Sequence, residues 1–150
     1  MPTDIIQLVK LLLEYGADVD AQGGFFGDAF HAACHYGDME VIKCLLEAGA
    51  DIQAECGTYG TALQAASLPG HTESGRVVEL LLDAGVNVNA QGGFFGTALQ
   101  AASAYGYAAI VGLLLDRGAD GNAYGNARQA ASLNRHEAVV RLLNRRLSEK

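Results

Sequence analysis

The sequence predicts an all-α solenoid, in which pairs of short helices stack side by side and extended fingers join each pair to the next. Three observations carry that expectation. One segment recurs in a single slot, as GDAFHAA from Gly27, GTALQAA from Gly60, GTALQAA from Gly96 and GNARQAA from Gly125. A strongly apolar segment follows each copy: VIKCLLEAGAD, VVELLLDAGVN, IVGLLLDRGAD and AVVRLLNRRL. The intervals from Gly27 to Gly60 and from Gly16 to Gly49 are both 33 residues. A fixed period of that length marks stacked units, none of which can bury its apolar face alone.

Each element has a local reason. The chain opens on LVKLLLEYGAD, a copy of the second helix with no first helix before it. Asp28, Thr61, Thr97 and Asn126 then share one slot, and all four belong to the residues whose side-chain oxygens cap helix N-termini. The pairs Ala32–Ala33, Ala65–Ala66, Ala101–Ala102 and Ala130–Ala131 give first helices small surfaces for close approach. Second helices carry dense apolar stripes, such as Val41, Ile42, Leu45 and Leu46, which neighbours on both sides must cover. Gly16, Gly49, Gly85 and Gly118 follow them, where a left-handed residue ends a helix. The segments ADVDAQGGFFG, ADIQAECGTYG and VNVNAQGGFFG alternate briefly and then turn, as extended fingers do. This divides the chain into a partial repeat over 1–24 and repeats over 25–57, 58–93, 94–122 and 123–150.

Three places depart from the pattern. In LPGHTESGRVV, Gly70 to Val77 takes 7 residues where Gly37 to Val41 takes 4. The last finger is short, with Gly118 to Gly125 spanning 7 residues against 11 elsewhere. The final RLLNRRLSEK brings charge to positions that stacking would bury, so Arg141, Arg145 and Arg146 are expected on an exposed outer face.

Composition excludes several classes. Half the residues are apolar and 18% are charged, so the chain should fold. No apolar run nears the roughly 20 residues that span a bilayer, so no membrane is expected. The opening MPTDIIQLVK is not a signal peptide. Three cysteines, Cys34, Cys44 and Cys56, without a CxxC pair, argue against a disulfide framework and a zinc site. Reduced thiols and the missing leader lead us to expect an intracellular, cytoplasmic setting. A net charge of −7 discourages a general grip on nucleic acid. The charge is uneven: residues 1–125 carry 4 basic and 15 acidic groups, and residues 126–150 carry 6 and 2.

No constellation reads as an active site. GGFFG at Gly23–Gly27 and Gly92–Gly96 lacks the Lys-Ser/Thr of a phosphate loop and does not match GxGxxG. His31 and His35 are four apart with Cys34 between them, a metal-compatible spacing, but a packed or capping His31 accounts for the pattern better. His71 and His136 sit near turns and read as structural. No nucleophile has a partner arrangement. We expect no enzyme, no cofactor and no metal.

These motifs resemble the ankyrin repeat, whose first helix opens on T-P-L-H and whose second is followed by G-A-D-V-N-A. Here the opening reads Thr61-Ala62-Leu63-Gln64 and Thr97-Ala98-Leu99-Gln100, with Ala for Pro and Gln for His except at His31. The A-L-Q-A-A-S variant with A-Q-G-G-aromatic fingers is similar to repeats of large fungal receptor-like (NACHT-type) proteins. The resemblance implies a groove, lined by finger tips and first-helix ends, that binds protein. Slot by slot, the implied contacts are Phe25, Thr58 and Phe94 on the fingers, with Ala123 in the last copy. On the helix ends they are His35, Tyr36, Leu68, Pro69, Ala104, Tyr105, Leu133 and Asn134. Phe26, Tyr59, Phe95 and Tyr124, just before the slot glycine, are assigned mainly to scaffolding. The leading expectation is therefore a protein-interaction module, the partner-sensing segment of a larger multidomain protein. Two others stay open: an anionic or nucleotide ligand at Arg128, Arg135, Arg141, Arg145 and Arg146, or self-association through exposed repeat ends.

Overall fold

The computed structural model describes residues 2–68 and 73–149, with side chains at 4–68, 73–120 and 126–149. Among these residues it shows nine helices and no extended sheet: α1 (Pro2–Glu14), α2 (Ala29–Tyr36), α3 (Met39–Glu47), α4 (Ala62–Ala66), α5 (Ser74–Asp83), α6 (Ala98–Ala104), α7 (Ala108–Asp116), α8 (Gly121–Leu133) and α9 (Glu137–Ser148). The first helices α2, α4, α6 and α8 pack in file, and α2, α4, α6 and α8 each pack on the second helix that follows. One apolar core runs between the two layers, from Ile6 through Ile42, Val78, Leu99 and Leu114 to Leu143.

The caps close locally. The side chains of Asp28, Thr61 and Thr97 accept from the backbone N–H three residues on, at 2.8, 3.2 and 3.2 Å. Gly16, Gly49, Gly85 and Gly118 all take φ between 87° and 91° after a second helix. The N–H of the residue after each returns to the carbonyl five back, as from Ala17 to Leu12 at 3.0 Å. Arg135 ends α8 with φ 62°, the only described non-glycine in that region. Arg135→Gly should therefore raise stability by about 1 kcal/mol, read as a higher urea midpoint at unchanged slope.

Fingers are narrow, each closed by a single bridge: Gly23 to Gly27, Cys56 to Gly60 and Gly92 to Gly96. Successive fingers are hydrogen-bonded at their tips, Thr58 N–H to the Phe25 carbonyl at 2.9 Å and Phe94 N–H to the Thr58 carbonyl at 3.0 Å. At their roots, Asp20 accepts from Asp51 N–H at 2.8 Å and Asn89 from Asp120 N–H at 2.6 Å. The stack is thus a ladder of polar rungs outside an apolar core.

Several expectations need correction. The shortened last finger is not extended: α8 begins at Gly121, so Asn126 lies inside a helix rather than at its N-cap, and the Tyr124 slot is not a finger tip. Seven residues are too few to run out to a tip and return, and the chain coils directly onto α6. Arg146 is not part of a free end; it is half-buried and paired with Asp116 of α7. His71 and Pro69 lie outside the described residues. His136 packs over the Gly106 backbone, where an added Cβ would collide with its ring.

Candidate partner-binding surface

Finger tips and first-helix ends meet on one face, and their rings form a continuous ladder. Phe26 contacts His35 and Tyr36 at centroid distances of 4.9 and 5.5 Å. His35 stacks on Tyr59 at 5.3 Å with planes 19° apart, and Tyr59 reaches Phe95 at 6.5 Å. Phe95 meets Tyr105 at 5.6 Å, and Tyr105 stacks on Tyr107 at 6.3 Å. Edge-to-face and offset pairs at these distances satisfy the ring quadrupoles and hold the fingers at fixed spacing.

The ladder has an inner rail and an outer row. Phe26, His35, Tyr59 and Phe95 are half-buried. Burial raises the Tyr59 phenol, helped by the neighbouring Tyr105 and Tyr36 hydroxyls. Phe25, Tyr36, Phe94 and Tyr105 stand out from the rail, with 56, 66, 79 and 52% of their surface exposed. Phe25 and Phe94 are not loose, because each rests edge-on against the next ring, at 5.1 and 4.9 Å. Thr58 is exposed between them and carries both tip hydrogen bonds.

Other slots fall elsewhere. Leu68, expected at the surface, is buried at 6% exposure. Helix α4 stops at Ala66, three slots before the equivalent end of α2 at Tyr36, and the unwound chain turns Leu68 into the core. Ala104 is half-buried beside Tyr105. Leu133 and Asn134 are exposed but lie at the far end of the stack, outside the ring ladder. Leu133 instead borders an open depression of about 560 Å³ with Arg128, Ser132 and Asn144. Tyr107 was not anticipated. It occupies the slot of the N-cap Asp38, and an aromatic where a cap belongs was the available signal.

The basic end is largely engaged with its own chain. Arg128 donates to Asn144 at 3.3 Å, Arg141 pairs with Glu137 at 3.4 Å, and Arg146 pairs with Asp116. Exposed pairs of this kind are weak, so they compete little with a ligand.

The two histidines of the expected metal-compatible pair part company. His35 joins the ring ladder, Cys34 is fully buried in the core, and burial, with the Asp28 charge, pushes the Cys34 thiol far up. His31 turns instead to Asp28 and to Cys56 of the next finger. All three cysteines are free thiols. No helix among the described residues is long and apolar enough to cross a membrane.

The recurrent helix pair, the left-handed glycine stop and the finger-to-finger bonding together define the unit. The Ankyrin repeats (3 copies) family matches residues 3–92, and the single Ankyrin repeat family matches residues 96–126. The chain belongs to the ankyrin repeat family. No curated protein matches it significantly. Ankyrin repeats are in general protein–protein interaction modules and not typically enzymes. The stretch matched by the single repeat ends inside α8, where the finger has been replaced by helix.

Proposed function

We propose that this ankyrin domain binds a protein partner through the exposed outer row of the ladder, Phe25, Tyr36, Thr58, Phe94 and Tyr105, with His35 beneath. The observation that carries this reading is four large rings left half or more exposed on one face, each braced by a half-buried neighbour. Pre-ordered aromatics lose little entropy on binding and supply the contact area typical of interface anchors. Ala104, Leu133 and Asn134 are weaker contributors, since none adds a ring to this face.

The test is affinity capture with the native domain and a Phe94→Ser/Tyr105→Ser variant. Both rings lie largely in solvent, so the melting temperature should shift by only a few degrees. Proteins retained by the native chain should fall at least about tenfold on the variant, at low and high salt alike. An unchanged retained set would remove this reading. Loss only at high salt, reproduced by Arg128→Ala and Arg135→Ala, would favour an anionic ligand at the basic end.

The domain is further proposed to be a segment of a larger multidomain protein, of the kind suggested by its A-L-Q-A-A-S and A-Q-G-G-aromatic signatures. Supporting this, Ile5, Leu8, Leu11, Leu12 and Tyr15 leave an apolar side of α1 exposed. In the other pairs that layer is covered by a first helix. Sequencing the transcript upstream of the Met1 codon decides it: an open frame encoding a first helix supports the reading, and a stop codon removes it.

A further inference from the structure

Three slots that recur along the chain change together at one repeat boundary. The capping slot holds Thr61 and Thr97 but Asp28, and the slot three residues on holds Gln64 and Gln100 but His31. The bridge slot of the following finger holds Gly92 after Gln64 but Cys56 after His31. In the Thr61–Gln64–Gly92 set every group is neutral, and the Gln64 amide donates to the Gly92 and Gly96 carbonyls at 2.8 and 2.6 Å. The Asp28–His31–Cys56 set brings a carboxylate, an imidazole and a thiol to the same place.

Their donor atoms lie close enough together to be drawn to one ion. One donor atom from each lies within 4.8 Å of the other two. Cys56 Sγ is 3.3 Å from Asp28 Oδ2 and 3.6 Å from His31 Nδ1. Around a tetrahedral ion with bonds of about 2.0–2.3 Å, donor atoms stand roughly 3.3–3.7 Å apart, so both separations fit. Cys56 Sγ is also 3.8 Å from Nε2, nearly equidistant from the two ring nitrogens. That places it over the imidazole face, out of the ring plane in which a nitrogen lone pair points, so ligation requires the His31 ring to turn about its Cβ–Cγ bond. Asp28 and His31 are buried and held by the start of α2, while half-exposed Cys56 leaves a way in.

We propose that Asp28, His31 and Cys56 form a mononuclear site for a zinc-class divalent cation, with water completing the coordination. Oxygen, nitrogen and sulfur ligands together suit a borderline ion such as Zn²⁺ and not Mg²⁺ or Ca²⁺. On binding, the Cys56 S–H bond breaks, the sulfur–metal bond forms and the proton leaves to solvent. Asp28 Oδ1 keeps the His31 backbone N–H, at 2.8 Å, and Oδ2 turns to the ion. Two contacts open: the Cys56 S–H bond to Asp28 Oδ2 goes with its proton, and the His31 ring turns away from Asp28 Oδ1, whose 2.8 Å separation from Nδ1 leaves no room for an ion between them. The ion then fastens the start of α2 to the second finger.

The sister repeats supply variants that keep the fold: Asp28→Thr, His31→Gln and Cys56→Gly each install the residue found in the same slot elsewhere. Cobalt(II) titrated into the reduced chain should give the intense visible bands of a tetrahedral site and a near-ultraviolet thiolate-to-metal band, at one ion per chain. Zinc should displace it and raise the melting temperature. Each variant, with circular dichroism matching the native chain, should weaken cobalt binding at least about tenfold. Pale octahedral spectra, bands that survive Cys56→Gly, or zinc stabilisation equal in all four proteins would each overturn the site and leave a hydrogen-bonded cap.

Discussion

Gln64→Ala is expected to destabilise the fold by about 3 kcal/mol, whereas Gln100→Ala, in the same slot one repeat later, costs about 1 kcal/mol. Both glutamines close a capping box, accepting from the backbone N–H of Thr61 at 2.8 Å and of Thr97 at 2.9 Å. Gln64 is fully buried and also spans to the next finger, with its amide on the Gly92 and Gly96 carbonyls. Removing it strands the Gly92 carbonyl and leaves a cavity; the Gly96 carbonyl still accepts from Gly92 N–H at 2.9 Å. After Gln100 there is no finger to hold, because α8 occupies that place. Urea unfolding of the two variants measures the difference directly. Equal losses would mean that Gln64 acts as a cap only.

Gly93→Ala should cost about 3 kcal/mol or more and disturb the ring ladder, while Gly49→Ala should cost about 1–2 kcal/mol. The two glycines share the left-handed region, with φ 62° and 89°, so both variants pay for a Cβ there. Around Gly49 nothing lies within 4 Å of an added Cβ. At Gly93 that atom would overlap the Tyr59 carbonyl and stand 2.6 Å from the Gly60 nitrogen. Backbone against backbone has no rotamer with which to yield, so the fingers must separate. Chemical denaturation gives the cost, and near-ultraviolet circular dichroism reports the Tyr59–Phe95 contact, which Gly49→Ala should leave intact. A Gly93→Ala chain as stable as Gly49→Ala would show that the fingers are not in contact in solution.

Much of the surface was legible because it is carried by repeating slots. Phe25 and Phe94 differ from Phe26 and Phe95 by one position along a finger, and that offset alone separates outer row from inner rail. Leu68 was misplaced by the same logic, since slot arithmetic assumes that α4 is as long as α2. Tyr107 and the meeting of His31 with Cys56 left weaker traces. His31 and Cys56 replace the recurring residues of their slots and Tyr107 stands where α3 has Asp38, but one substitution does not say which side chain it will meet.

By itself the sequence determined the solenoid, its period, the caps at Asp28, Thr61 and Thr97 and the glycine stops. The period is written in the repetition itself, and the caps and stops are interactions between residues three to five apart, whose geometry the backbone imposes wherever the pattern occurs. Only the tertiary structure decided which way Leu68 turns, that residues after Gly121 form helix instead of finger, and that Arg146 folds back on Asp116. It alone brought Asp28 and His31 to Cys56, 25 or more residues away. Those outcomes depend on how each repeat lies against the next, and a local pattern carries no distance between slots a full period apart.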